Sequence, residues 1–121
     1  MSTILIIDDD LDICALLSVY IKHGGHKALE AHDGQEGLKQ AQAANPDLII
    51  LDIKMPIMDG TVVLKSLRKM TQTAKTPVIA LSAMGTSDLR DDMYSLGCNA
   101  YISKPVDIEV FLNTVKTLLP A

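Results

Sequence analysis

The sequence predicts an α/β domain in which a parallel five-stranded sheet lies between two layers of helices. Short apolar runs alternate with stretches of helical spacing in the order βαβαβαβαβα. Four of the runs are apolar at nearly every position, which is typical of parallel strands buried on both faces. These runs are residues 4–7, 48–51, 78–81 and 100–102, and a weaker strand at 26–31 follows the turn at Gly24 and Gly25.

The segments between the strands have the spacing of crossover helices. Since right-handed crossovers leave few topologies, five such units favour a flavodoxin-like (βα)5 three-layer sandwich with strand order 2-1-3-4-5. The first helix is predicted around the stripe from Ile13 to Ile21. The others are predicted at about 34–44, 60–70, 87–96, where Gly97 ends the helix, and 108–119. Two core stripes are expected: Ile13, Leu16, Leu17, Tyr20 and Ile21 on the first helix, and Phe111, Leu112, Val115 and Leu118 on the last.

Composition limits what the chain does. Its 121 residues, 48% of them hydrophobic, suit one domain over 1–121, and we expect no output domain within it. A net charge of -4 lacks the basic surplus of nucleic-acid binding proteins. No apolar run has the length of a signal-peptide core or a membrane span, so a cytoplasmic location is expected. Cys14 and Cys98 lack paired-ligand spacing and are predicted to be reduced, buried thiols.

Polar side chains follow the predicted strands where their carboxyl ends should meet. Asp8 and Asp9 follow the first strand, Asp52 the third, Ser82 the fourth, and Lys104 comes just past the fifth. Each alone is explained by a helix cap or a solvated charge. Three carboxylates together repel one another and resist simultaneous ionisation unless a cation joins them. The combination therefore predicts a cation site at the switch point of the sheet.

Oxygen ligands without His or Cys select a hard cation, so we expect Mg²⁺, with Mn²⁺ as an alternative. A carboxylate is also a nucleophile toward phosphorus, and Asp52 on the middle strand is the best placed to form an aspartyl phosphate. Asp8 and Asp9 then hold the metal. The Lys104 ammonium and the Ser82 hydroxyl are expected to stabilise the transferring phosphoryl group, and the small Ala83 keeps the nucleophile approachable.

These residues resemble those of the CheY-like receiver domains of response regulators over the whole chain. The matching motifs are Asp8-Asp9, residues 52–60, Ser82-Ala83 and Lys104-Pro105. The resemblance implies that Asp52 is the phospho-acceptor, that Asp9 binds Mg²⁺ directly, and that Asp8 binds a metal-bound water. It also implies that the backbone carbonyl of Lys54 completes the ligand set.

The resemblance further implies a conformational switch in which Ser82 turns toward the phosphoryl group and Tyr101 moves inward. A Tyr on a terminal strand is also a common amphipathic side chain with a wet hydroxyl, and the sequence leaves both interpretations open. Lys54 and Met84 occupy the positions that tune the lifetime of the phosphorylated state in this family. A cis peptide is expected at Lys104-Pro105.

The implied partners are a histidine kinase or a histidine phosphotransfer protein and a downstream protein target, so we expect a signalling module and not an enzyme. Monomer and weak phosphorylation-dependent dimer both stay open, as do a stand-alone regulator and a piece of a longer protein. The first helix carries apolar residues outside its core stripe that suit a partner helix: Leu11, Cys14, Ala15 and Val19. A second surface is suggested by Tyr101, Met84, Met93, Pro105 and Val106.

Three alternatives have less support. A phosphohydrolase of the haloacid-dehalogenase type would use Asp8 and Asp10, but Asp12 stands where that family has Thr or Val, and the chain is short for a core plus cap. An interaction module that has lost phosphorylation usually lacks a site residue, and none is missing here. An FMN-binding flavodoxin needs a phosphate-cradling loop after the first strand, where this chain has acids.

Overall fold

The computed structural model describes residues 2–83 and 90–119, and in that part of the chain five parallel strands form one sheet. The strands are β1 (Thr3–Ile7), β2 (Lys27–Ala31), β3 (Leu48–Asp52), β4 (Val78–Ser82) and β5 (Ala100–Ser103). Their order is β2-β1-β3-β4-β5, which confirms the predicted fold. β3 and β4 are buried at every residue, whereas the edge strands β2 and β5 are partly exposed.

The helices are α1 (Leu11–His23), α2 (Gly34–Ala44), α3 (Gly60–Lys69), α4 (Arg90–Ser95) and α5 (Ile108–Leu118). The aspartates that precede four of them, Asp10, Asp33, Asp59 and Asp107, accept hydrogen bonds from backbone N–H groups of the first turn. The predicted start of the fourth helix at Ser87, and Met84, lie outside the described residues. No described helix is long and apolar enough to cross a membrane.

Alternate residues of the central strands feed two cores, one on each face of the sheet. Leu5 and Ile7 of β1 pack with α2, α3 and Met93 of α4, whereas Ile4 and Ile6 pack with α1 and α5. Two-sided burial is why the central strands are continuously apolar. The polar residues that end these strands are therefore held by a rigid apolar frame.

The predicted core stripe of α1 is wrong in part. Leu17 and Ile21 are buried as predicted, but Leu16 is 40% exposed and the helix buries Cys14 and Ser18 in addition. Two small polar side chains can face the sheet because each has a partner: Ser18 Oγ donates to Glu30 at 2.9 Å, and Cys14 Sγ donates to the backbone oxygen of Asp8 at 3.3 Å. Cys14 therefore belongs to the core and not to the predicted partner surface.

The assignment of Val106 to a partner surface is also wrong. Its side chain is 7% exposed and packs in the core beside α5, because the chain turns inward after the exposed Pro105. Met93 is fully buried as well, so it fills the core instead of marking a surface. On α5, Phe111 and Val115 are buried and Leu112 and Leu118 pack against the same core, as predicted.

Gly60 fixes the loop that follows β3. Its backbone N–H donates to the carbonyl of Ile53 at 2.7 Å, and a Cβ placed on it would lie 2.6 Å from the backbone oxygen of Asp52. Any larger residue would push the start of α3 away from the end of β3. The close approach therefore sets the position of the loop at residues 53–59.

We expect Gly60→Ala to lower the free energy of unfolding by about 2–3 kcal/mol, since the added methyl meets rigid backbone. Gly34→Ala is the matched control, because Gly34 also begins a helix but its added Cβ meets the side chains of Met58 and Val63. Urea unfolding measures both variants. Equal losses in the two variants would contradict the assigned role of the backbone contact.

Candidate functional site

The carboxyl ends of the strands bring an ammonium group and two buried carboxylates together. Asp8 directly follows β1, Asp52 ends β3, and Lys104 follows β5. Lys104 Nζ lies 3.2 Å from Asp8 Oδ2 and 3.4 Å from Asp52 Oδ1. Since Asp8 is 0% and Asp52 4% exposed, water screens these charges poorly and the ion pairs are correspondingly strong.

A third carboxylate completes a cluster that can hold a metal ion. Oxygens of Asp8, Asp9 and Asp52 lie within 4.8 Å of one another, and Asp9 is exposed at the rim. Asp8 Oδ1 accepts the N–H of Asp10 at 2.9 Å, whereas Oδ2 accepts no hydrogen bond from the described residues and has only the Lys104 ion pair at 3.2 Å. The Lys104 ammonium contacts only Asp8 and Asp52 of these three acidic groups, so this oxygen-only site fits an added hard cation.

The electrostatics of the cluster are visible in Asp52. Burial raises its pKa from the ordinary value of 3.8 to about 7, and the neighbouring Asp8 carboxylate adds to the rise while Lys104 opposes it. Burial lowers the pKa of Lys104, but Asp52 and Asp8 outweigh burial and raise it overall. Without a further cation, Lys104 alone therefore does not fully stabilise the ionised forms of both buried carboxylates.

The other described residues of the predicted phosphorylation site lie on or soon after strands β3, β4 and β5. Ser82 ends β4 in a buried position and its hydroxyl donates to the carbonyl of Ala83 at 3.0 Å, while Ala83 itself is exposed. The N–H of Lys54 donates to Asp52 Oδ1 at 3.3 Å. Tyr101 on β5 is half-buried against the core. Lys104-Pro105 is a cis peptide, as expected. The roles assigned to these residues stay predictions.

The position of Asp10 separates this site from another interpretation of the same acids. Asp10 turns away from the cluster, because its Oδ1 caps α1 by accepting the N–H groups of Asp12 at 2.9 Å and Ile13 at 3.3 Å. It is therefore placed for helix capping and not for the acid role of a haloacid-dehalogenase pair. Sequence reasoning missed this assignment, although an Asp before an amphipathic helix is a signal for a cap.

A second group, Cys14, Glu30 and His32, also brings potential ligand atoms within 4.8 Å of one another. Burial, with the negative charge of Asp8 next in importance, raises the pKa of the Cys14 thiol to about 12. Glu30 is engaged by His32 at 3.1 Å and by Ser18 at 2.9 Å. Because the Cys14 thiol stays protonated and the Glu30 carboxylate already accepts two hydrogen bonds, we interpret this group as part of the packing between α1 and β2 and not as a metal site.

The chain matches a known protein family. The model of the family described as the response regulator receiver domain matches residues 4–116. The chain belongs to this family. This match confirms the resemblance seen in the sequence motifs, and receiver domains are modules of two-component signalling systems.

Individual relatives agree with this assignment. The receiver domain is 39% identical over 119 residues to the DNA-binding dual master transcriptional regulator RpaA of a Synechocystis species, covering 98% of this chain and 49% of that protein. It is 37% identical over 116 residues to the transcriptional regulatory protein PrrA of Mycobacterium tuberculosis, covering 96% and 49%. The chain thus spans about half the length of these curated relatives.

Among solved structures, the chemotaxis protein CheY4 of Vibrio cholerae superposes with a TM-score of 0.92 at 30% sequence identity, covering 98% of this chain and 99% of that one. The receiver domain of the Francisella response regulator 1452 superposes with a TM-score of 0.88 at 33% identity, covering 98% and 96%. Both similarities extend over the entire sandwich, so the receiver fold accounts for all of the described elements.

Asp52→Asn is expected to stabilise the metal-free protein at pH 8 by on the order of 1–2 kcal/mol. The folded state holds the Asp52 proton more tightly than the unfolded state, so the wild type loses relative stability as pH rises from about 4 to about 7. The gap between variant and wild type should therefore grow over that window. Denaturant unfolding in EDTA measures the gap, with the exposed Asp91→Asn as control. A gap that is independent of pH would contradict the raised pKa of Asp52 in the folded protein.

Proposed function

We propose that Asp52 accepts a phosphoryl group, in the presence of Mg²⁺, from the phosphohistidine of a histidine kinase or a histidine phosphotransfer protein. The observation that carries this proposal is the buried Asp52 carboxylate, which shares its pocket with two further carboxylates and the Lys104 ammonium. In this reaction an Asp52 oxygen attacks phosphorus, the P–N bond to histidine breaks, and the imidazole leaves with the bonding electron pair.

The chain's own residues have separate roles in this transfer. Asp9, Asp8 and Asp52, with the backbone carbonyl of Lys54, are the groups that would hold the metal. When bound, Mg²⁺ neutralises negative charge on the transferring phosphoryl oxygens. Lys104 already lies 3.4 Å from Asp52 and is placed to pair with the phosphoryl group once it is attached.

The proposed output is a change in the surface that partners bind. After phosphorylation, the Ser82 side chain would turn toward the phosphoryl group and Tyr101 would move inward. A downstream protein target would then distinguish the phosphorylated from the unphosphorylated domain. In this proposal the domain works in the cytoplasm as a signalling module and not as an enzyme, as a monomer or a weak phosphorylation-dependent dimer. Its net charge of -4 favours protein partners over nucleic acid for this domain.

Incubation with acetyl phosphate and Mg²⁺ should attach a phosphoryl group to the wild type, because a small donor needs only the site itself. Intact-mass measurement should find no adduct on Asp52→Asn or when EDTA is present. The conservative Asp91→Asn substitution on α4 controls for losing an acid elsewhere. Labelling of Asp52→Asn at the wild-type rate would overturn the assignment of the acceptor.

The exposed apolar face of α1 is proposed to contact the phosphodonor protein. Leu11 and Val19 are exposed, and each lies about one helical turn from the exposed Ala15. The correction to the core stripe adds Leu16 to this face. α1 begins directly after the acidic cluster, so a protein docked on it stands beside Asp52. A helix from the donor would bury these side chains.

Leu11→Glu or Ala15→Glu should slow phosphotransfer from the donor protein about tenfold or more, because a charge would be buried in an apolar contact. Both variants should react with acetyl phosphate at the wild-type rate. Val110→Glu on α5 places the same charge at another exposed apolar position and serves as control. An equal slowing with both kinds of donor would refute the docking role.

A further inference from the structure

The loop between β3 and α3 has a strained backbone at Ile57. Its φ is +71°, and Met58 N–H donates to the carbonyl of Pro56 at 2.7 Å, which makes Ile57 the central residue of a γ-turn with positive φ. This turn is rare and strained, and a β-branched residue with positive φ is a genuine outlier. Gly or Asn would adopt the same conformation more easily. The sequence instead places a bulky apolar side chain there.

The Ile57 side chain is 108% exposed, so it lies as open to water as in an extended peptide. Its neighbours explain why it projects rigidly. Met55 is buried and Met58 packs against the same core, while Asp59 caps α3. The chain is held on both sides of Ile57, and the Ile57 side chain projects into solvent. Neither the packing of the domain nor the proposed phosphoryl transfer makes use of it.

Both ends of the loop are attached at Asp52. The chain leaves at Lys54, whose N–H donates to Asp52 Oδ1, and returns at Gly60, which packs on the backbone oxygen of Asp52. Ile57 therefore stands on a short arch beside the acceptor, whereas Asp52 is 4% exposed. A small phosphodonor can enter beside the arch. A protein that delivers a phosphohistidine to Asp52 must also cover the arch.

We propose that Ile57 is an anchor residue that inserts into an apolar recess next to the phosphohistidine of the donor protein. This inference rests on the proposed function, in which Asp52 takes its phosphoryl group from histidine. The donor is favoured over the downstream target because it must cover Asp52 during transfer, whereas a target that recognises the phosphorylated state can bind elsewhere. A preformed, rigid side chain loses little conformational entropy on docking, which suits an anchor.

The test compares Ile57→Gly, Ile57→Asn and Ile57→Leu. The donors are purified, autophosphorylated histidine kinases and phosphotransfer domains of the organism that encodes the chain, and the fastest donor for the wild type is used. Gly and Asn should lower kcat/KM for transfer about tenfold or more, mainly through KM. Leu, which restores an apolar side chain, should recover most of the rate. Labelling by acetyl phosphate should stay within about twofold of wild type for all three variants.

Thermal unfolding supplies a readout that a purely structural role would not give. Gly and Asn adopt a positive φ with less strain than Ile. Both variants should therefore melt at or above the wild-type temperature even though phosphotransfer is impaired. Val62→Ala, which removes another exposed apolar side chain from α3, should leave transfer and melting unchanged. This pairing of unimpaired stability with impaired transfer is the expected result.

Other results overturn the inference in distinguishable ways. Unchanged transfer in Ile57→Gly and Ile57→Asn, or an equal loss with acetyl phosphate, would show that Ile57 does not contact the donor. If acetyl phosphate but none of the histidine donors labels the wild type, the proposed contact between Ile57 and a donor protein is wrong. The assignment of Asp52 as acceptor would still stand. Absence of labelling by either kind of donor would overturn the proposed function itself.

Discussion

The contact of the Lys104 ammonium with Asp8 and Asp52 is the interaction on which the site depends. Two carboxylates buried side by side in a poorly screened environment would otherwise repel each other strongly. Because β5 is separated from β3 by β4, the cation must extend past the end of β4 to reach both acids. A long side chain from β5 can do this, and a short one cannot. The strand order and the choice of lysine are thus physically linked.

Much of this arrangement could be predicted from sequence because parallel strands end at a common edge. Once the apolar runs were recognised as strands, the order of the sheet and the convergence of Asp8, Asp52 and Lys104 followed from general rules of α/β folds. The structure places all three together. The close approach at Gly60 was not predicted, because it depends on how α3 returns to β3, a tertiary contact with no periodic signal.

The errors have local causes. On α1 two overlapping helical stripes compete, and apolarity alone favoured Leu16 over Ser18, whose hydroxyl is buried because Glu30 accepts its hydrogen bond. Val106 was misplaced because a residue after an exposed proline gives no periodic pattern. The conformation of Ile57 could not be predicted either, since an isoleucine does not signal positive φ. Strain of this kind is maintained by the surrounding contacts and is found at functional sites more than elsewhere.

The central and edge strands that carry the site are also expected to differ in how readily they open locally. β3 is buried at every residue, so its amide protons are expected to exchange with deuterium only through global unfolding. β5 is a half-exposed edge strand of four residues, and such segments exchange through local openings of lower free energy. We therefore expect Asp52 and its counter-ion to belong to different cooperative units. We expect the Asp52 carboxylate to stay fixed on the slow-exchanging unit, while the segment carrying Lys104 shifts without melting the core.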